Sequence, residues 1–142
     1  KQKFDIVFSL SELEHKLDPI VFLKKLKKIL SKNGKLILRV PNFNNIYKMF
    51  LGKDFYKYDF RTSHNFYFSQ NNLKKLFEIT NFKILAEYGH QEYDTNHLLS
   101  YISTRKRVGA KYKQILSWKD INFTKSNIES ALTSTSLIYI LK

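Results

Sequence analysis

The feature that most constrains the fold is an apolar run that ends in a polar turn and is followed at once by a helix signal. Phe4–Leu10 is almost continuously apolar, which is typical of a strand buried on both faces of a sheet. Asp18 is a good N-cap, and Pro19 suits the first helical position. Apolar residues then recur at helical spacing up to Asn33-Gly34, which we expect to end the helix in a left-handed conformation. The stretch therefore predicts a strand, a loop and a helix.

The same alternation continues along the chain. Residues 35–40 predict a second strand with Leu36, Leu38 and Val40 on one face, and Pro41 ends it. We therefore expect two neighbouring parallel strands joined by a right-handed helical crossover.

Further elements follow in the second half of the chain. Ser69 caps a helix that Asn81 ends in place of glycine. The remaining predicted elements are a strand over residues 82–88, a helical region over residues 97–115 and a strand over Ser136–Leu141. The pattern predicts an α/β fold with a mostly parallel sheet, flanking helices and an antiparallel last strand. No repeat or linker divides residues 1–142, so we expect one domain.

Composition excludes several classes of protein. A chain of 142 residues with 43% hydrophobic and 15% aromatic content can bury the core of one domain. No apolar run approaches about 18 residues and no signal peptide is recognisable, so we expect a cytoplasmic location without a membrane partner. The absence of cysteine excludes disulfides and thiolate chemistry. No H-x-x-x-H or similar ligand spacing is present, so the sequence predicts no metal site.

The formal charge of +13 leaves one alternative function open. Clustered basic residues favour nucleic acid through counterion release. Only four of these residues are arginines, and many lysines fall on the polar faces of predicted helices, so we do not expect nucleic acid as the natural partner. A non-catalytic basic module that binds nucleic acid or an acidic partner remains the alternative to an enzyme.

Residues 42–68 have no clean period and are crowded with aromatic side chains. A segment of this length is usually functional or contains a short helix of its own. Some of its aromatic residues could form a lid or a stacking wall for a ligand, although more of them are expected in the core. The candidates are Tyr47, Phe55, Tyr56, Tyr58, Phe66 and Tyr67.

Several short motifs occur in one consistent order. FDIV begins at Phe4, the EH of an EHxxDP loop at Glu14, NGKL at Asn33, VPN at Val40 and HNFYFS at His64. Over residues 1 to about 90 this order resembles the second half of class I S-adenosylmethionine-dependent methyltransferases. The resemblance implies a partial Rossmann-like methyltransferase fold and S-adenosylmethionine as the cofactor.

The chain departs from that family in one respect. The glycine-rich loop and the acidic residue that bind most of the cofactor have no counterpart here, because the chain has four glycines and no G-x-G. We therefore expect residues 1–142 to be the C-terminal, acceptor-side part of a methyltransferase domain, inactive alone. An apolar strand at Phe4–Leu10 would then have an unpaired edge. Its expected partner is the missing N-terminal half, a second copy of the chain or a segment folded back from residues 94–135.

The resemblance also implies a set of site residues. A hydroxyl acceptor benefits from a general base, and His64 is our first candidate for that role or for acceptor contact, with His15 second. Local capping by Glu14 and simple packing of the histidines remain the alternatives. A looser Q-x-Y-x-x-N-H-L similarity over residues 91–98 implies O-methylation of a sugar, a glycan precursor or another small molecule. The implied cofactor residues are Ser9, Leu10, Ser11 and Glu14, and the implied acceptor residues are Asn42, Tyr67, Gln91, Asn96 and His97.

Overall fold

The computed structural model describes residues 2–105 and 112–142, and its elements alternate between strands and helices. Four strands form one sheet: β1 (Phe4–Leu10), β2 (Leu30–Pro41), β3 (Ile84–His90) and β4 (Ser136–Leu141). Six helices connect or cover them: α1 (Pro19–Ile29), α2 (Ile46–Leu51), α3 (Asp54–Asp59), α4 (Gln70–Ile79), α5 (Thr95–Thr104) and α6 (Trp118–Ser130). None of the helices in these two ranges is both long enough and apolar enough to cross a membrane.

The sheet confirms the predicted fold class. Its strand order is β1-β2-β4-β3, with β1 parallel to β2 and β4 antiparallel to both of its neighbours. Strands β1, β2 and β3 therefore run in one direction and only the last strand runs against them. The carboxyl ends of β1 and β2 meet at one edge of the sheet, where α/β proteins bind ligands.

The two faces of the sheet differ in their surroundings. The covered face carries Leu36, Leu38 and Val40, all fully buried, and it packs against apolar residues of α1 and α4 such as Leu23 and Phe77. The open face carries the alternate residues of β1, which are 42–63% exposed. These residues are Phe4, Ile6, Phe8 and Leu10. The prediction that β1 is buried on both faces is therefore wrong for this chain, because no described element covers the open face.

The start of α1 is as predicted, but its end is not. The Asp18 side chain accepts a hydrogen bond from Val21 N, and Pro19 is the first helical residue. The expected stop at Asn33-Gly34 is wrong, because the helix ends at Ile29 and Gly34 lies inside β2. Glycine is required there for another reason, since a Cβ would lie 2.7 Å from Phe4 O, where the β1–β2 register shifts.

Later elements show smaller differences. The third strand begins and ends two residues after the predicted 82–88, following Asn81, whose φ of 57° confirms its role in place of glycine. The helical region expected over residues 97–115 is α5, which ends at Thr104. Residues 106–111 lie outside the described part, and residues 112–115 are not helical. Helix α6 was missed, although Ser117 followed by Asp120 is a capping signal that could have indicated it.

Part of the aromatic segment forms two short helices, α2 and α3, and a second core, in line with the expectation that it contains a short helix of its own. Helices α2 and α3 pack on α5 through five buried side chains. These are Tyr47, Leu51, Phe55, Leu98 and Tyr101. The expectation that many aromatics of residues 42–68 are structural is confirmed for Tyr47 and Phe55, which are fully buried, whereas Tyr56 is 46% exposed.

Candidate functional site

A polar cavity of about 320 Å³ lies beyond the carboxyl ends of β1 and β2. Its lining combines the loop after β1, the end of β2, the aromatic segment and the residues that follow β3. Charged groups and imidazoles dominate it. The lining residues are Ser11, Glu14, His15, Arg39, Pro41, Asn45, Tyr47, Asp59, Arg61, Ser63, His64, Glu92, Tyr93, Thr135 and Ser136.

A tight turn places the first of these side chains. Ser11 has a φ of 55°, and its N–H donates to Arg39 O at 2.9 Å while its hydroxyl accepts from Arg39 Nη2 at 3.1 Å. A single 3-10 turn over Leu13–His15 follows, and Leu13 fills the core below it. Glu14 and His15 are consequently held beyond the carboxyl ends of the parallel strands β1 and β2.

Glu14 is a buried carboxylate at the centre of this turn. The residue is 1% exposed, and its backbone carbonyl accepts hydrogen bonds from Asn65 N at 2.9 Å and Phe66 N at 3.2 Å. Its Oε2 is buried without a hydrogen-bond partner. Burial raises the pKa of this carboxyl above its usual value, against the opposing effects of its own backbone hydrogen bonding and of His15. Buried polar atoms in native proteins are normally satisfied, so Oε2 is available for a further contact.

His15 has one ring nitrogen engaged and one directed toward Glu14. Its Nδ1 lies 2.7 Å from Ser63 O, and because a carbonyl only accepts, Nδ1 carries the proton. Nε2 then has the lone pair, and it lies 3.9 Å from Glu14 Oε1. The Asn65 side chain donates to His15 O at 2.9 Å, which ties the segment around Ser63 to the turn.

His64 completes the group. Its ring meets that of His15 edge-on, with the centroids 4.8 Å apart and the planes at 79°. Its Nδ1 is buried without a hydrogen-bond partner. Burial lowers the pKa of His64 below its usual value, with smaller contributions from His15 and Arg61, which favours the neutral imidazole. The two predicted catalytic histidines are thus brought into contact, although they are distant in sequence.

The predicted cofactor residues lie along the path from β1 into the cavity. Ser9 is buried, and its hydroxyl has no hydrogen-bond partner. Leu10 is 51% exposed at the end of the open face. Ser11 and Glu14 line the cavity itself. Their assignment to a cofactor stays a prediction.

Three of the predicted acceptor residues use their side-chain amides within the chain. Asn42 donates to Leu132 O and Ser134 O, each at 3.0 Å. Gln91 donates to Tyr93 O at 2.7 Å and accepts from Thr135 N at 3.1 Å. Asn96 accepts from Ile115 N and Leu116 N. These amides hold loops around the site and lie outside the cavity lining, so their contact with an acceptor stays a prediction.

The other two predicted acceptor residues, His97 and Tyr67, pack against residues that line the cavity. His97 is buried, its Nδ1 lies 2.7 Å from the hydroxyl of Tyr47, and its ring stacks on Tyr93 at 4.3 Å. The Tyr67 hydroxyl bonds to the backbone of Arg61, and its ring lies 5.4 Å from that of His64. Both residues position cavity-lining neighbours, and their contact with an acceptor also stays a prediction.

Sequence reasoning missed most of the charged lining. Arg39 and Arg61 are two of only four arginines in a lysine-rich chain, and Asp59 and Glu92 add two carboxylates. The sequence does contain a signal for Arg39. This charged residue lies near the end of a strand, between two residues that are both buried. Residues of the aromatic segment gave no comparable signal, because their place depends on how α2 and α3 fold back.

The family model for a methyltransferase domain matches residues 1–87. The chain belongs to this methyltransferase-domain family, and S-adenosylmethionine is the expected cofactor. The matched residues include β1, the Glu14–His15 turn and His64, and they stop within β3. No curated protein sequence matches the chain.

Solved structures show the same fold. A methyltransferase from Thermotoga maritima, described as S-adenosylmethionine-dependent and a possible histamine N-methyltransferase, is 16% identical with a TM-score of 0.63. The alignment covers 99% of this chain and 56% of that one. An S-adenosylmethionine-dependent methyltransferase from Archaeoglobus fulgidus is 17% identical with a TM-score of 0.56, covering 99% of this chain and 60% of that one. The chain therefore spans little more than half the length of these methyltransferases.

The turn after β1 carries groups that suit one side of the cofactor, and their contact with it stays a prediction. The buried, unpartnered hydroxyl of Ser9 and the left-handed backbone of Ser11 form a polar turn at the carboxyl end of β1, and Leu10 offers an apolar surface beside it. The 142 residues contain no glycine-rich turn that could bind the other side.

Proposed function

We propose that this chain forms the acceptor-side part of a methyltransferase that methylates a hydroxyl oxygen of a small molecule, such as a sugar or a glycan precursor. The observation that supports this function is the contact of His15, His64 and Glu14 at one end of a polar cavity. S-adenosylmethionine, when bound, supplies an electrophilic methyl group. The chain aligns the acceptor and excludes water from it.

His64 is the proposed general base. An alcohol is a poor nucleophile at neutral pH, so removal of its proton assists transfer. The neutral imidazole of His64 lines the cavity, and its buried Nδ1 has no internal hydrogen bond to lose. His15 is the second candidate, because Ser63 fixes its tautomer and leaves Nε2 able to accept a proton. Glu14 Oε1 lies 3.9 Å from this Nε2 and helps to orient the ring.

The remaining lining suits a polyhydroxylated acceptor. Arg39 and Arg61 present guanidinium donors, and Asp59 and Glu92 present acceptors. The ring of Tyr93, stacked on buried His97, offers a rigid surface for the apolar face of a sugar. Dense alternation of donors and acceptors beside an aromatic ring supports a sugar over an apolar acceptor.

The cofactor side of the site requires more polypeptide than this chain provides. Ser9, Leu10, Ser11 and Glu14 would contact one side of S-adenosylmethionine. We propose that the edge of β1 that pairs with no described strand joins either the N-terminal half of the methyltransferase fold or a second copy, and that this partner supplies the other side.

The test is methyl transfer by a protein that contains this chain, measured with labelled S-adenosylmethionine and a panel of hydroxyl acceptors. His64→Ala should lower kcat by about 10²–10⁴-fold without changing cofactor affinity, which is the usual contribution of a general base. His90→Ala, which removes an imidazole outside the cavity lining, is the matched control. Unchanged kcat in His64→Ala would reject the assigned role.

A further inference from the structure

Glu14, His15 and His64 place three potential ligand atoms within 4.8 Å of one another. Within residues 2–105 and 112–142, this is the one group of three or more histidines, aspartates and glutamates that could share an ion. Two imidazoles and one carboxylate form a common donor set for catalytic zinc. We propose that these three side chains bind a divalent transition-metal cation, with Zn²⁺ as the representative ion.

His15 already has the arrangement of a metal ligand. A ligating histidine normally donates its other ring N–H to a carbonyl or carboxylate, which fixes the tautomer and the ring orientation. Here Nδ1 donates to Ser63 O at 2.7 Å, and Nε2 is left with its lone pair 3.9 Å from Glu14 Oε1. The hydrogen bond to Ser63 that would orient His15 as a ligand is therefore already present.

The other two residues each bury an atom that has no hydrogen-bond partner. Glu14 Oε2 and His64 Nδ1 are both in this state, although buried polar atoms are almost always satisfied. One cation between them would satisfy both atoms. An ordinary hydrogen-bonded cluster would instead pair these atoms with each other or with nearby backbone.

The local charge also favours a cation, in spite of the basic character of the chain. The cavity lining carries three carboxylates, those of Glu14, Asp59 and Glu92, against the two guanidiniums of Arg39 and Arg61. The lining therefore carries one more carboxylate than guanidinium. This local balance differs from that of the whole chain, whose formal charge is +13.

The geometry leaves room for a further ligand. Zn–N and Zn–O bonds of about 2.0–2.2 Å require ligand atoms roughly 3.3–3.5 Å apart. Side-chain rotations that move these atoms by about 1 Å would bring the three of them to that separation. All three residues line the cavity, and a fourth coordination position would face it. A cation there would act as a Lewis acid on a bound hydroxyl or water. An imidazole nitrogen that coordinates the ion cannot also accept a proton, so the base role proposed above belongs to the ion-free site. Cation binding is measured without methyl transfer, so the two proposals can fail separately.

The test is calorimetric titration of the chain with ZnCl₂ at pH 7. We expect one equivalent to bind, with at least about tenfold loss of affinity in each of Glu14→Gln, His15→Ala and His64→Ala. Glu12→Gln and His90→Ala are matched controls, because they remove an exposed carboxylate two residues away and an imidazole outside the group. Both controls should bind as the native chain does.

A second measurement on the native chain keeps the proposal falsifiable if a variant does not fold. Co²⁺ bound at this group should show the intense visible absorption of a four- or five-coordinate site, and Zn²⁺ should displace it. A weak spectrum of the octahedral aqueous type would overturn the proposal. So would native affinity in a folded Glu14→Gln variant, or equal loss of affinity in the two controls, which would indicate adventitious surface binding.

Discussion

The covered and open faces of the sheet are built from similar residues but have different surroundings. Leu36, Leu38 and Val40 on the covered face are fully buried, whereas Ile6 and Phe8 on the open face are 56% and 63% exposed. Solvent-exposed apolar residues in this number are unusual on a monomer and indicate a contact surface. The covered face therefore supplies the core of this chain, and the exposed apolar residues of the open face are the basis for our proposal that another polypeptide joins the chain there.

The largest predicted effect compares one leucine from each face. Leu38→Ala should lower the free energy of unfolding by about 2–5 kcal/mol, because it leaves a cavity in a fully buried position. Leu10→Ala should cost less than about 1 kcal/mol, because half of that side chain is already exposed. Urea denaturation of both variants measures the difference. Equal losses would mean that the open face is buried in solution.

The loop that seals the end of the covered face should give the next largest effect. Asn42→Ala leaves the carbonyls of Leu132 and Ser134 without their donor, at a cost of about 1–3 kcal/mol. Asn44→Ala, an exposed amide two residues away, should change stability by less than about 0.5 kcal/mol. If Asn42→Ala proved as mild as its control in the same urea titration, the amide would be free to contact an acceptor.

Self-association tests the open face directly. Phe8→Lys places a charge on the exposed face of an edge strand and should weaken any self-association by about tenfold or more, since such charges block edge pairing. Phe123→Lys makes the same change on α6, at a side chain that is 71% exposed, and should leave association unchanged. Sedimentation velocity measures both. A native chain that stays monomeric at high concentration would leave the missing half as the proposed partner.

Salt should have the smallest effect on this association. Apolar contact does not weaken between 50 and 200 mM salt, whereas binding governed by phosphate contacts loses orders of magnitude over that range. The same sedimentation series is repeated with a short DNA duplex added at low salt. It therefore compares self-association through the apolar open face with electrostatic binding of the duplex by the basic side chains. Tight, salt-sensitive duplex binding would favour the alternative of a basic interaction module.

The sequence predicts where helices and strands begin and end better than it predicts which face of the sheet is buried. Local signals suffice for the Asp18 cap, the stop at Asn81 and the strand Ser136–Leu141, because each depends on neighbours in sequence. The burial of Phe4–Leu10 was predicted wrongly because burial depends on which other elements are present. The expected stop at Asn33-Gly34 failed because tertiary pairing with Phe4 uses that glycine for close backbone approach.

The candidate site shows the same limit. The Glu14–His15 pair and His64 were each singled out from motifs, but their mutual contact requires the aromatic segment to fold back over the turn through Asn65. No ligand spacing in the sequence indicates a metal, because the donors come from two distant segments. Arg61 and Tyr93 reach the cavity by the same kind of long-range folding.

Calorimetric titration of this 142-residue chain with S-adenosylmethionine tests whether the chain holds only one side of the cofactor site. The chain is expected to provide one side of the cofactor site, so no saturable binding should occur below about 1 mM, equivalent to roughly −4 kcal/mol. Stoichiometric binding in the micromolar range would contradict the account. It would mean that the cofactor site is complete without the glycine-rich turn and without a partner on β1.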